Sequence, residues 1–319
     1  MRSRKNYRNW GYKMHTPVLL NETIEILNPQ PGEFFIDGTI GSGGHAAEIF
    51  KRISPNGMLL GIDWDKAMIE NVRQKISAIS NFQFLISKLI LKNNNYANLP
   101  EILKNEKFGK ADGLLIDLGF SSEQLDPPAG GGRGFSFQKD EILDMRYSAN
   151  NDNDDDNGIT AAEVVNSFSE KDLADIIYKY GEERFSRRIA KKIVEERRKK
   201  RIITTFELAE IVNRAVPGRG RLNPATKTFQ ALRIYVNKEL ENLETLLKNL
   251  YNIIKPKGRV AIISFHSLED RLIKNYFRDM AKQGKAEILT KKPIRPTFEE
   301  IQINPRSRSA KLRAIILNI

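Results

Sequence analysis

The stretch Asp37-Gly-Thr-Ile-Gly-Ser-Gly-Gly-His45 puts one carboxylate and four glycines at the end of a short apolar run, Phe34-Phe-Ile36. Glycines at such a turn let a ligand approach the backbone and permit positive φ. Gly41, Gly43 and Ala46 also satisfy G-x-G-x-x-A, the pattern of a dinucleotide turn. Asp37 argues against a dinucleotide. A carboxylate directly ahead of the glycines repels a pyrophosphate and suits a ligand carrying ammonium and sulfonium charges, as S-adenosylmethionine does. The spacing acidic-x-x-x-Gly-x-Gly, with Gly38 added, fits that reading better; a plain glycine turn without ligand is the bland alternative.

Two more acids end apolar runs in the same way: Leu59-Leu-Gly-Ile-Asp63 and Leu114-Leu-Ile-Asp117. About 20 residues past a glycine loop, an acid at a strand end bonds the ribose hydroxyls of a nucleoside. Asp63 takes that role, with a helix cap before the helix after Asp65 as the alternative. Packing explains any one of these acids more easily than the convergence of Asp37, Asp63 and Asp117 on one sheet edge. Ser264-Phe-His266-Ser267 follows a fourth apolar run; for His266, capping the next helix and touching a substrate weigh equally.

These residues need strands to hold them. Phe34–Asp37, Met58–Asp63, Gly113–Leu118 and Arg259–Phe265 read as buried parallel strands, with Phe82–Ile86 as a fifth. Helices are expected over Gly43–Ile53 and Lys66–Ile79, which gives α/β alternation and a doubly wound sheet. The alternation stops after Leu118. A loop-like region to Gly158 contains the glycine-rich Ala129–Gly134 and the Asn/Asp run Asn150–Asn157. Helices then follow over Ser169–Tyr180, Glu183–Lys200, Thr205–Ala215 and, as one long element, Ala225–Ile254, ended by Pro256 and Gly258. A strand pair ending at Ile315–Leu317 closes the chain. The expected division is a basic tail over 1–13, a sheet domain over 14–134, a helical insert over 135–224 and the sheet completed over 225–319.

The 319 residues carry a net charge of +12 and no cysteine. Disulfides and thiolate chemistry are therefore excluded, and a reducing compartment fits. No apolar run suits a membrane span. The excess of positive charge suits a polyanion partner through counterion release, although a solvated lysine face sums to the same value.

The chain resembles the MraW/RsmH family of ribosomal RNA small-subunit methyltransferases H. The motifs that carry the resemblance begin with His15-Thr-Pro-Val-Leu-Leu-Asn-Glu22, the glycine stretch to His45, and Asp117-Leu-Gly-Phe-Ser-Ser122 with Gln124-Leu-Asp126. Arg133-Gly-Phe-Ser-Phe137, Leu143-Asp-Met-Arg146, Tyr180-Gly-Glu-Glu-Arg-Phe185 and Phe229-Gln-Ala-Leu-Arg-Ile-Tyr-Val-Asn237 follow, then Ile263-Ser-Phe-His-Ser-Leu-Glu-Asp-Arg271 and Asn304-Pro-Arg-Ser-Arg-Ser309. The resemblance implies a class I, Rossmann-like S-adenosylmethionine methyltransferase sheet with an inserted helical substrate-recognition domain. It implies methylation of N4 of a cytidine in 16S rRNA, at the decoding-centre/P-site region of the small subunit, in the cytoplasm and without a membrane; a homodimer is compatible with it. Cofactor contacts carry over to Gly43, Gly44, His45, Asp63, Asp117 and Gln124. A further contact, a Phe in a loop after the third strand, aligns with Leu89.

For the transfer itself, Asp117, Ser264 and His266 are candidates to accept a hydrogen bond from a cytosine amine. Phe135 and Phe137 are candidates to stack a flipped-out base. Arg219, Arg221, Lys227, Arg233, Arg306 and Arg308 are candidates for RNA phosphates, with the basic helix Arg184–Lys192 read equally as a solvated face. Asp126-Pro-Pro-Ala129 lacks the aromatic of an amino-methylating Asp-Pro-Pro-Tyr box and reads as a turn. Asp152, Asp154, Asp156 and Glu163 imitate a calcium loop without its glycine, so no metal is expected. The competing readings are methylation of another RNA or of DNA, a dinucleotide oxidoreductase, and a non-catalytic RNA-binding assembly factor.

Overall fold

The three apolar runs that end on acids become strands of one seven-stranded sheet. The computed structural model describes residues 17–77, 89–119, 132–147, 158–217 and 223–318. The strands are β1 (Phe34–Asp37), β2 (Met58–Asp63), β3 (Leu89–Asn93), β4 (Ala111–Asp117), β5 (Ile254–Ser264), β6 (Ala286–Ile288) and β7 (Lys311–Leu317), in the order β3-β2-β1-β4-β5-β7-β6. β1 to β5 run parallel, and β7 and β6 add an antiparallel edge. β1 lies between β2 and β4, so the winding direction changes beside it, which is where open α/β sheets hold ligands.

Every residue of β1 is buried, and Phe35 is fully so. It packs with Leu59, Leu115, Ala261 and Ala314 into the core beneath α1 (Leu20–Leu27) and α2 (Gly44–Ile53). Helices α3 (Lys66–Ser77) and α4 (Leu99–Asn105) complete the first half.

By internal contacts the chain forms two compact units, Met1–Asp63 with Ala67–Ser121 and Asn249–Ile319, and Trp64–Lys66 with Ser122–Lys248. The second unit holds α5 (Ala161–Ser167), α6 (Glu170–Gly181), α7 (Ser186–Arg197), α8 (Thr205–Ala215), α9 (Ala225–Val236) and α10 (Glu239–Lys248). Capping boxes start two of these: Thr160 with Glu163 before α5, and Thr204 with Glu207 before α8. The first unit resumes with α11 (Leu250–Ile253) and contains α12 (Ser267–Lys282) and α13 (Phe298–Ile303). Among the described residues no helix is long and apolar enough to cross a membrane.

The strand beside β2 is Leu89–Asn93, in register with Leu59 to Asp63; the expected strand Phe82–Ile86 lies outside the described residues, as do the tail 1–13 and the Asn/Asp run. Three sequence expectations are corrected. β5 starts at Ile254, not Arg259. A register shift opposite Ala111/Gly113 takes up the extra residues around Pro256. The single helix Ala225–Ile254 is three helices. Asn237 breaks it: its side chain donates to Met145 O at 2.7 Å and accepts from Tyr147 N at 2.9 Å, and Lys238 then turns left-handed at φ 49°. The return to the sheet unit accordingly comes at Asn249 and not at 225, because α9 packs on α6. Gly181 permits that crossing, since a Cβ there would sit 2.6 Å from Lys227 O.

A methyl at Gly113 would meet the Phe35 ring at 2.1 Å where the β1–β4 pairing begins. Gly113→Ala is expected to cost about 1–3 kcal/mol through overpacking, read as a lower thermal midpoint. An unchanged midpoint would show that this part of the core yields freely.

Candidate active site

The carboxyl ends of β1, β2 and β4 are laced together by the residues that leave them. Gly38 N donates to Leu115 O at 3.0 Å and Ile40 N to Ile62 O at 2.8 Å, so the glycine loop crosses both neighbouring strand ends. Gly41 N donates to Asp63 Oδ2 at 2.9 Å, and Asp117 N donates to Thr39 Oγ1 at 2.7 Å. Gly43 adopts φ 83°, a left-handed conformation that turns the chain into α2. Gly44 follows against Pro17, whose ring a Cβ would meet at 2.3 Å.

The three acids converge as expected, but in different surroundings. Asp37 is 1% exposed and accepts from Thr39 N at 3.2 Å. Burial pushes its carboxyl up to about 8, and the neighbouring Asp117 and Asp63 add to the rise. Burial also raises Asp117, to about 7, with Glu269 as the nearby like charge, while Gly119 N at 3.2 Å opposes the rise. His45 Nδ1 lies 3.7 Å from Asp117 Oδ2. Its Nε2 is 3.0 Å from Val18 O, which sets Nε2 as the protonated nitrogen and turns Nδ1 toward the acid.

This arrangement fits S-adenosylmethionine. Asp37 and Asp117 form an acidic pair that a cation would relieve, and Asp63 stands at the position for ribose hydroxyls. The start of α2 has no side-chain cap and no acid in its first turn, so its N–H groups suit a carboxylate. When bound, that cofactor supplies an electrophilic methyl group.

Other expected residues land elsewhere. Leu89 is the first residue of β3, four positions before its tip, and lines an apolar cavity with Gly43, Ala46, Phe50, Leu59 and Val72. That tip is Asn93 and Asn94, which both donate to Asp63 O, at 2.9 and 3.0 Å. The sequence reading missed them, although Asn93-Asn-Asn95 after Leu89-Ile-Leu91 was the signal. Thr39 was missed too. His266 caps α12: Nδ1 accepts from Glu269 N at 3.4 Å, and Glu269 returns the bond to His266 N and Phe265 N. Ser264 is 1% exposed and faces Lys311 O at 3.4 Å. Gln124, Arg219 and Arg221 lie outside the described residues.

In the helical unit, Phe137 packs edge-on against the buried Phe229, with centroids 5.1 Å apart, while Phe135 stacks on Tyr147. Arg233 is forked onto Glu239 at 2.8 and 2.9 Å and mostly buried, so an internal carboxylate takes the place expected for a phosphate. Lys227 Nζ donates to Glu182 O at 2.9 Å, at the end of α6. Arg306 and Arg308, in the sheet unit, are exposed on a 3₁₀ turn over Pro305–Ser309.

Because the folded pKa values of Asp37 and Asp117 lie above that of a free carboxylate, the folded state without cofactor binds extra protons. Their contribution to stability is complete below pH ~4 and is lost as pH rises through about 7 and 8. Cofactor binding runs the other way. A cation favours the ionised acids, so affinity rises with pH between ~6 and ~9 and binding releases protons. Calorimetry of S-adenosylmethionine in buffers of different ionisation enthalpy should show that release, and Asp117→Asn should reduce it. A pH-independent affinity would remove the acid pair from the cofactor site.

The chain matches the MraW methylase family over residues 12–317. It is 44% identical over 303 residues to the ribosomal RNA small subunit methyltransferase H of Coprothermobacter proteolyticus, covering 95% of this chain and 96% of that one. It is 42% identical over 321 residues to the protein of the same name from Syntrophobacter fumaroxidans, covering 94% and 95%. A rRNA-methylase structure from Clostridium thermocellum aligns over 95% of this chain and 100% of its own, at 12% identity and a TM-score of 0.46. The methyl donor is S-adenosylmethionine, which the acidic strand tips and the uncapped helix start accommodate. With the family matched almost end to end and relatives above 40% identity along the same length, this chain belongs to the MraW methylase family.

Proposed function

We propose that the chain transfers the methyl group of S-adenosylmethionine to N4 of a cytidine in 16S rRNA, at the decoding-centre/P-site region of the small ribosomal subunit. The observation that carries this reading is the pair Asp37 and Asp117, raised toward neutrality at the mouth of a glycine loop, in a chain whose relatives are named for small-subunit rRNA. The net charge of +12 supports an RNA substrate.

The exocyclic amine of cytosine is a weak nucleophile because its lone pair is delocalised into the ring. Alignment with the methyl group and acceptance of an N–H hydrogen bond both lower the barrier. Asp117 is the acceptor in this reading. A carboxyl group near 7 takes a proton from the methylated nitrogen at neutral pH and returns it to solvent afterward. His45, fixed by Val18 O, stands beside that carboxylate, with Nδ1 3.7 Å from Oδ2. Arg306 and Arg308 position RNA phosphates, and Arg219 and Arg221, basic positions read from the sequence, join them in this reading.

Incubation with small subunits lacking the modification, followed by nucleoside mass spectrometry, is expected to yield N4-methylcytidine from the wild type and at least ~100-fold less from Asp117→Asn. Methyl incorporation at another base or position would overturn the assignment. Arg306→Ala with Arg308→Ala should weaken RNA binding and flatten its salt dependence by about one to two ions, with cofactor affinity unaltered.

A further inference from the structure

The second unit contains a second aromatic arrangement, which includes Phe135. Trp64, Phe135 and Tyr147 are half-buried, and all three sit on loops. The Phe135 and Tyr147 rings stack with centroids 5.4 Å apart and planes 25° apart. Trp64 adds to the other ring of the pair, its centroid 6.1 Å from that of Tyr147 at 44°. The Arg133 guanidinium lies 5.3 Å over the Phe135 ring.

Main-chain and ionic ties hold this ladder. Met145 N donates to Arg133 O at 2.7 Å, and Arg133 Nη1 donates to Tyr147 O at 2.9 Å. The same Arg133 pairs with Asp65, which is 1% exposed and lies next to Trp64 in the chain. Tyr147 N donates to Asn237 Oδ1 at 2.9 Å, and its hydroxyl donates to Glu239 at 3.2 Å, with Glu239 itself forked by Arg233. Core aromatics are fixed by being enclosed. These rings are also held through their backbone and edges, and each residue is only half-buried, so part of the ladder lies at the surface.

We infer that the Trp64–Tyr147–Phe135 ladder is a nucleobase-stacking surface, and that a base of the substrate RNA lies on it. The inference rests on RNA being the substrate. Stacking on rings in prepared positions is tolerant of sequence and costs little ordering entropy on binding. It also moves the stacking role away from Phe137, which is engaged with Phe229. The adenine of the cofactor is the other flat base within the same chemistry, and the experiment separates the two.

The chain has two tryptophans, so Trp10→Phe makes Trp64 the sole indole reporter. Its fluorescence is followed while a single-stranded, cytidine-containing oligoribonucleotide, inorganic polyphosphate or S-adenosylmethionine is added. RNA is expected to quench saturably, polyphosphate and S-adenosylmethionine far less. Tyr147→Ala should weaken RNA binding about tenfold or more, measured by anisotropy of labelled RNA, and Tyr147→Phe should restore it. A circular-dichroism melt of each variant guards against simple unfolding. RNA binding by anisotropy without quenching would overturn the inference, as would equal quenching by S-adenosylmethionine alone. The two readings fail separately: methylated RNA without quenching sinks the ladder only, whereas saturable quenching without any methylation sinks the proposed reaction and leaves the ladder standing.

Discussion

Three carboxylates at neighbouring strand ends cannot all be ionised comfortably when one of them, Asp37, is shut off from water. Asp37 is the extreme case. The distance between an ordinary 3.8 and about 8 corresponds to roughly 6 kcal/mol against its charged form. The hydrogen bond from Thr39 N offsets part of that cost, while the charged groups acting on Asp37, Asp117 and Asp63, are of the same sign and add to it. The sheet edge is therefore organised around a cation it does not itself supply. The glycine loop, the hydrogen bond from Gly41 to Asp63 and that from Asp117 to Thr39 hold the acids in place before the ligand arrives. Such preorganisation lets binding energy go into placing the methyl group and not into assembling the site.

The second unit solves a related problem by the opposite device. Several of its less exposed charges are paired internally: Arg133 with the buried Asp65, Arg233 with Glu239, and Arg146 with Asp144. Such pairs contribute modest net stability, but removing one partner leaves a buried charge, so they enforce one arrangement of the loops. Asn237 does the same with hydrogen bonds, fastening the segment 145–147 to the end of α9. Loops pinned in this way can carry aromatic rings at a surface without letting them collapse into the core.

His266 shows how one residue type serves two arguments. Its place after a strand invited a chemical role, and the structure fills its Nδ1 with the first turn of α12. Nε2 lies 3.1 Å from Glu269 Oε1, close but not aligned for a hydrogen bond. Glu269 in turn is 3% exposed and serves as the like charge that helps raise Asp117. The cap thus bears on the site through electrostatics, with no substrate contact required of the imidazole.

Local chemistry alone determined much of this protein. Apolar runs ending on Asp37, Asp63 and Asp117 announced β1, β2 and β4, since a buried parallel strand must be apolar and its polar end must face a ligand or water. Thr204 and Glu207 announced the start of α8, because a capping box is written within four residues. What the tertiary structure decided depended on partners far away in sequence. Leu89-Ile-Leu91 became β3 through its register with β2. Asn237 broke a continuous apolar stripe because residues 145 and 147 reach it from about ninety positions away. Arg233 was withdrawn from solvent by Glu239, beyond the break that this same asparagine creates. Periodicity and capping are properties of a few consecutive residues and are legible there. Register, helix breaks and the pairing of charges are set by which segments meet, and only folding brings those together.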